Sequence, residues 1–121
     1  MPSSATFAHV VIDCADPDRL ASFWSAMLGV AVEGKWKQYV MLESTVAGGP
    51  ALAFQRVPEA KAGKNRVHVD LTVDDLEAES SLACELGATV VDEHVDVAVT
   101  ARIMNDPEGN EFCLVKLSLP A

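Results

Sequence analysis

The sequence predicts an α+β fold of two βαβββ modules with the helices outside. Short runs alternate apolar and polar residues with a period of two, as half-buried strands do. Two segments, each following such a run, repeat apolar residues every three or four positions, as an amphipathic helix does. Landmarks also recur at nearly one offset. His9 and His68 are 59 positions apart, Leu28-Gly29 and Leu86-Gly87 are 58 apart, and Phe54-Gln55 and Phe112-Cys113 are 58 apart. A near-constant offset marks an internal duplication. One βαβββ unit cannot bury both faces of its sheet, whereas two can, with their polar faces around a cavity. The expected plan is a single domain over residues 1–121. Its first module spans 6–57, a linker 58–65, and its second module 66–118.

The first module opens with a strand over 7–14, where His9, Val11 and Asp13 share one face. Asp16 is a good N-cap, and Pro17 suits the first helical turn. Leu20, Phe23, Trp24, Met27 and Leu28 then form one apolar helix face, which places Phe23 and Trp24 in the core. Gly29 is the expected C-cap. Strands are predicted at 30–34, at about 36–43 after Gly34, and at 51–57 after Gly48-Gly49-Pro50. Trp36, between Lys35 and Lys37, falls on an edge-like hairpin, where it lines a pocket mouth or makes a dimer contact. Residues 58–65 read as a solvated linker; Arg56, Lys61, Lys64 and Arg66 lie in and beside it.

The second module repeats the order. Arg66 to Val73 alternates, with Val67, Val69, Leu71 and Val73 toward the core and His68, Asp70 and Thr72 opposite. A His and an Asp two residues apart are an unusual load for a strand. Asp74 is the expected N-cap and Glu77 completes a capping box. Leu76, Ser80, Ala83 and Leu86 give a weaker apolar face, which Gly87 ends. Strands follow near 88–92 and 97–104. Asn105-Asp106-Pro107-Glu108-Gly109-Asn110 has the Pro and Gly of a turn, and the last strand runs over about 111–117.

Bulk properties narrow the class. With 18 acidic and 9 basic residues the net charge is −9, which argues against nucleic acid and anionic membrane as partners. The sequence has no apolar run long enough for a transmembrane helix. Residues 1–6 lack the basic and apolar regions of a signal peptide, so the expected location is cytoplasmic. Cys14, Cys84 and Cys113, an odd number at uneven spacing, read as reduced thiols. Cys14 and Cys84 read as structural.

The paired strand histidines, the Asp16-Pro17 and Asp74 helix starts, Leu28-Gly29, Leu86-Gly87 and the Asp106-Pro107-Glu108-Gly109-Asn110 turn carry a resemblance. The chain resembles the vicinal oxygen chelate superfamily of glyoxalase I, bleomycin-resistance proteins and extradiol dioxygenases. More narrowly, it is similar to the small glyoxalase-like domain proteins. The resemblance covers about residues 7–117. It implies a mixed, cupped sheet, a small-molecule ligand, a homodimer, and a divalent metal (zinc, nickel, manganese or iron). The implied metal ligands are His9 and His68, with Gln55 and Cys113 completing the family's four positions. Cys113 stands where relatives usually carry a Glu, and a thiolate would favour zinc. The chemistry implied is Lewis-acid work on vicinal oxygens, as in a lyase, isomerase or dioxygenase.

Neighbouring carboxylates widen the site. Glu111 shares the polar face of Cys113 but is displaced by about 6–7 Å along the strand. Glu111 and Asp70 are the candidate catalytic groups, as bases in a desolvated cavity. Gln55, Cys113, Asp13 and Trp36 are candidate ligand-binding residues. The residues leave a bland alternative open for each: a hydrogen-bonded interior His, a small buried Cys, a polar network without metal. A metal-free drug-binding protein is the competing function.

Overall fold

A computed structural model describes residues 3–117, which form two compact units that meet in sequence at Ala60 and Lys61. The first holds strand β1 (His9–Cys14), helix α1 (Pro17–Leu28), β2 (Val32–Trp36), β3 (Tyr39–Leu42) and β4 (Ala51–Arg56). The second holds β5 (Val69–Thr72), α2 (Leu76–Glu85), β6 (Thr89–Val95), β7 (Val99–Asn105) and β8 (Glu111–Leu117). Each is the expected βαβββ unit with a mixed four-stranded sheet. The orders are β1-β4-β3-β2 and β5-β8-β7-β6. In each sheet the first and last strands of the unit pair in parallel and the other pairs are antiparallel.

Local chemistry explains α1. The Asp16 side chain accepts a hydrogen bond from the Arg19 N–H at 3.2 Å, and Pro17 occupies the first turn. Gly29 ends the helix at φ 66°, a left-handed conformation that costs a glycine little. Leu20, Phe23 and Trp24 are buried, and the two aromatic rings meet edge to face with centroids 5.4 Å apart. They share the first core with Cys14, Val40, Leu42, Ala53 and Phe54. Full burial of a Val, Leu or Phe side chain stabilises by about 1.5–3 kcal/mol.

The hairpin differs from expectation. Gly34 does not separate two strands: β2 runs through it, with a register shift between Val32 and Gly34. A strand glycine without a side chain to pack suits such a bulge. The turn falls instead on Lys37 and Gln38, between the paired Trp36 and Tyr39.

In the second unit the strand predicted from residue 66 begins at Val69, and Val67 is exposed rather than in the core. β5 pairs only with β8, whose first residue is Glu111, and Val69 lies opposite Phe112. Residues before Val69 have almost no partner row to extend into. The cap of α2 is Asp75, not Asp74: its side chain accepts from the Ala78 N–H at 3.0 Å. Glu77 does not close a capping box; its carboxylate meets Arg102 at 2.7 Å. Leu76, Ser80 and Ala83 are buried with Ala88, Met104, Phe112 and Leu114. Cys84, read as structural, is exposed. β6 runs to Val95, past the expected end at 92, because Val99–Asn105 supplies pairing rows along its length. The 105–110 turn is tied from within by Asp106. Its buried carboxylate accepts from the Glu108 N–H at 2.9 Å and the Asn110 N–H at 3.0 Å.

Candidate functional site

The second unit gathers a group of potential metal donors. His68 lies just before β5 and Asp70 within it, two residues apart on one side of the chain. The parallel register of β5 on β8 sets Asp70 beside Cys113. His68 Nε2 is 3.1 Å from Asp70 Oδ1. One ligand atom each from His68, Asp70 and Cys113 lies within 4.8 Å of the other two; the first two residues are exposed and Cys113 is half-buried. Burial pushes the Cys113 thiol above its ordinary pKa. The neighbouring Asp70 carboxylate pushes the same way, and Lys64 pulls it back in part. The resting form at neutral pH is therefore the thiol, which is a poor nucleophile.

The donor set nevertheless fits a metal. Imidazole nitrogen, carboxylate oxygen and sulfur together suit zinc, and three protein donors leave a fourth position open. Zinc bonds of about 2.0–2.3 Å need ligand atoms somewhat closer together than the present limit of 4.8 Å, a change within reach of side-chain rotation.

Glu111 does not belong to this group. Its carboxylate accepts from the Asn65 backbone N–H at 3.2 and 3.3 Å, and its carbonyl accepts from Asn65 Nδ2 at 3.2 Å. Lys61 Nζ lies 3.5 Å away, and the Glu111 side chain is 17% exposed. Burial pushes the Glu111 carboxyl up. Its own backbone N–H, the Asn65 N–H and Lys61 outweigh that, and hold it below the usual carboxylate range. Glu111 thus clasps the 61–65 segment to the start of β8.

The first unit carries no equivalent group among its described residues. Asp13 sits beside Gln55 in register, whereas His9 sits beside Ala51, four rows earlier. That is about 13 Å along the strand, so within this unit His9 and Gln55 are far apart. The register also revises the repeat. With Gln55 matched to Cys113, the counterpart of Asp70 is Asp13 and that of His68 is Val11. His9 and Asp13 are both exposed.

This unit has a cavity instead. Trp36, Lys37, Gln38, Tyr39 and Gln55 line a volume of about 430 Å³. Tyr39 and Gln55 face each other across the β3–β4 pair. Trp36 and Gln55 are candidate ligand-binding residues of the sequence; Lys37, Gln38 and Tyr39 are not among its candidates. The signal for them was two aromatic residues flanking a two-residue loop, hidden by placing the strand break at Gly34. Arg102, also unmarked in the sequence, holds Glu77 at 2.7 Å and Glu93 at 2.6 Å and pins β6 and β7 to α2.

Solved structures share this fold. A glyoxalase/bleomycin resistance protein/dioxygenase family enzyme from Burkholderia phytofirmans is 17% identical, with a TM-score of 0.79 over 93% of this chain and 99% of its own. A glyoxalase family protein from Bacillus cereus is 18% identical, with a TM-score of 0.74 over 96% of each chain. A glyoxalase/bleomycin resistance protein from Albidiferax ferrireducens is 15% identical, with a TM-score of 0.67 over 91% of this chain and 97% of its own. At these identities the likeness establishes the fold. No curated protein matches the sequence. A model of the glyoxalase-like domain family matches residues 9–115, which take in both βαβββ units, and the chain belongs to that family.

Proposed function

We propose that this protein is a small-molecule enzyme of glyoxalase type in which His68, Asp70 and Cys113 hold a divalent ion of zinc character. The observation that carries the reading is the approach of three different donor atoms to within 4.8 Å of one another. When bound, such an ion supplies Lewis acidity toward a substrate oxygen. The chain's own residues do the rest. Asp70 is the hub: it sits beside Cys113 in register and lies 3.1 Å from the His68 ring nitrogen. The three donors thus stand near one another before any ion arrives. The half-buried setting of Cys113 limits water on one side of the group.

The test is the metal content of the purified protein. About one zinc per chain is expected, with loss in His68→Ala and Cys113→Ser variants that keep their fold. A metal-free protein that takes up no zinc, nickel, manganese or iron on reconstitution overturns the reading.

A second reading is binding without metal chemistry. It is favoured by the resting arrangement of the same group: the Asp70 carboxylate lies 3.1 Å from the His68 ring nitrogen and beside Cys113 in register, a set of polar contacts that forms without an ion. Retained ligand binding after complete chelation would support it.

A further inference from the structure

We infer that the cavity of the first unit binds a planar aromatic carboxylate. This goes beyond the metal reading and stands without it, because the lining residues among those described all lie in the first unit. A volume of about 430 Å³ lies in the range of small-molecule sites, which run from roughly 300 to 1,000 Å³. Two of the five lining side chains are aromatic. Trp36 is 72% exposed, which leaves indole surface accessible to a flat apolar group. Offset stacking on Trp36 or Tyr39 would cover it.

The charge comes from Lys37. It occupies a hairpin-turn position at φ 55° and is the one non-glycine residue with positive φ among the described residues. Glycine or asparagine is the usual choice there, since a Cβ is crowded in that conformation. A strained non-glycine residue at a cavity lip points to a role for its side chain. The Lys37 ammonium lies 5.4 Å from the Trp36 ring centroid. Lys35 pairs with Asp18 and Lys61 with Glu111; among the described residues no carboxylate pairs with Lys37, and the cavity lining contains no acid. In a chain of net charge −9, a cation beside an aromatic face with no acid in the lining selects an anionic group on a flat ligand. The amides of Gln38 and Gln55 add donors for a carboxylate and acceptors for a ring hydroxyl.

The experiment titrates the full chain with naphthoate and, separately, with the neutral naphthalene carboxamide. Heteronuclear NMR follows the two indole N–H signals. Trp24 is 1% exposed, so its signal serves as the internal control. Naphthoate is expected to shift the Trp36 signal saturably and leave Trp24 unmoved. The carboxamide should bind about tenfold more weakly, the worth of one charge-assisted hydrogen bond. Lys37→Gly should lose the same factor for naphthoate and nothing for the carboxamide, with Tm unchanged or raised because glycine suits the turn. Trp36→Ala should bind neither ligand. Equal affinity for acid and amide, no saturable shift, or full naphthoate affinity in Lys37→Gly overturns the proposal. Repeating the titration on chelated protein separates this result from the metal reading, since the expected affinity is the same with and without metal.

Discussion

The two units share one topology and differ in what they mount on it. In both, the first strand pairs in parallel with the last, and one row of that pair sets an acidic residue beside a polar one: Asp13 beside Gln55, Asp70 beside Cys113. In the second unit a histidine two residues earlier completes a three-donor group. In the first unit that place belongs to Val11, and His9 lies a further two residues away. The first unit opens instead at its hairpin, where Trp36, Lys37, Gln38 and Tyr39 line a cavity with Gln55. A duplicated scaffold thus carries donor atoms in one copy and aromatic surface in the other. A two-residue offset on a strand separates a donor cluster from a lone imidazole.

The comparison can be broken first at the two cores. Phe54 and Phe112 are equivalent and both fully buried. Phe54→Ala and Phe112→Ala should each cost about 3–5 kcal/mol, measured by urea unfolding. A large inequality would show that one unit carries most of the stability. The donor rows come next. Asp70→Asn should weaken zinc binding by at least about tenfold, while Asp13→Asn should leave metal content unchanged. An equal loss in both would end the distinction between the copies. The helix caps sharpen the comparison at a smaller scale. Asp16→Ala and Asp75→Ala should each cost about 1 kcal/mol, and Asp74→Ala a few tenths at most, read from unfolding midpoints. The smallest effect belongs to the Glu111 clasp, which has no described counterpart in the first unit. Its carboxyl pKa is depressed in the fold. The clasp's contribution is therefore fully present above the unfolded carboxylate value, and is lost as pH falls through the lower folded value. Hydrogen exchange at the Asn65 amide should accelerate in acid beyond the intrinsic pH trend, and Glu111→Gln should remove that extra pH dependence.

Much of this was legible in the sequence, for local reasons. Asp16, Pro17 and Gly29 bound α1 because capping depends on a few adjacent residues. Leu20, Phe23 and Trp24 announced their burial by helical spacing. The duplication and the family resemblance were both readable from spaced landmarks, and the family match over residues 9–115 bears the resemblance out. Other features were not legible. Asp74 and Asp75 are equally good caps as residue types, and only the path of the chain into α2 chose Asp75. Glu77 matched a capping box by spacing, but Arg102, 25 residues away, took its carboxylate. Gly34 looked like a break and became a bulge once β3 lay beside it.

By itself the sequence determined the element order, the apolar faces of the helices, the first helix with both its caps, and the presence of two copies of one unit. Each of these follows from periodicity or from contacts a few residues apart, which a linear reading contains. The tertiary structure alone decided the rows: Asp70 beside Cys113, Tyr39 beside Gln55, His9 beside Ala51. Strand register is a long-range choice made by pairing partners and turn geometry, and a shift of two residues preserves every hydrophobic face while exchanging one set of chemical neighbours for another.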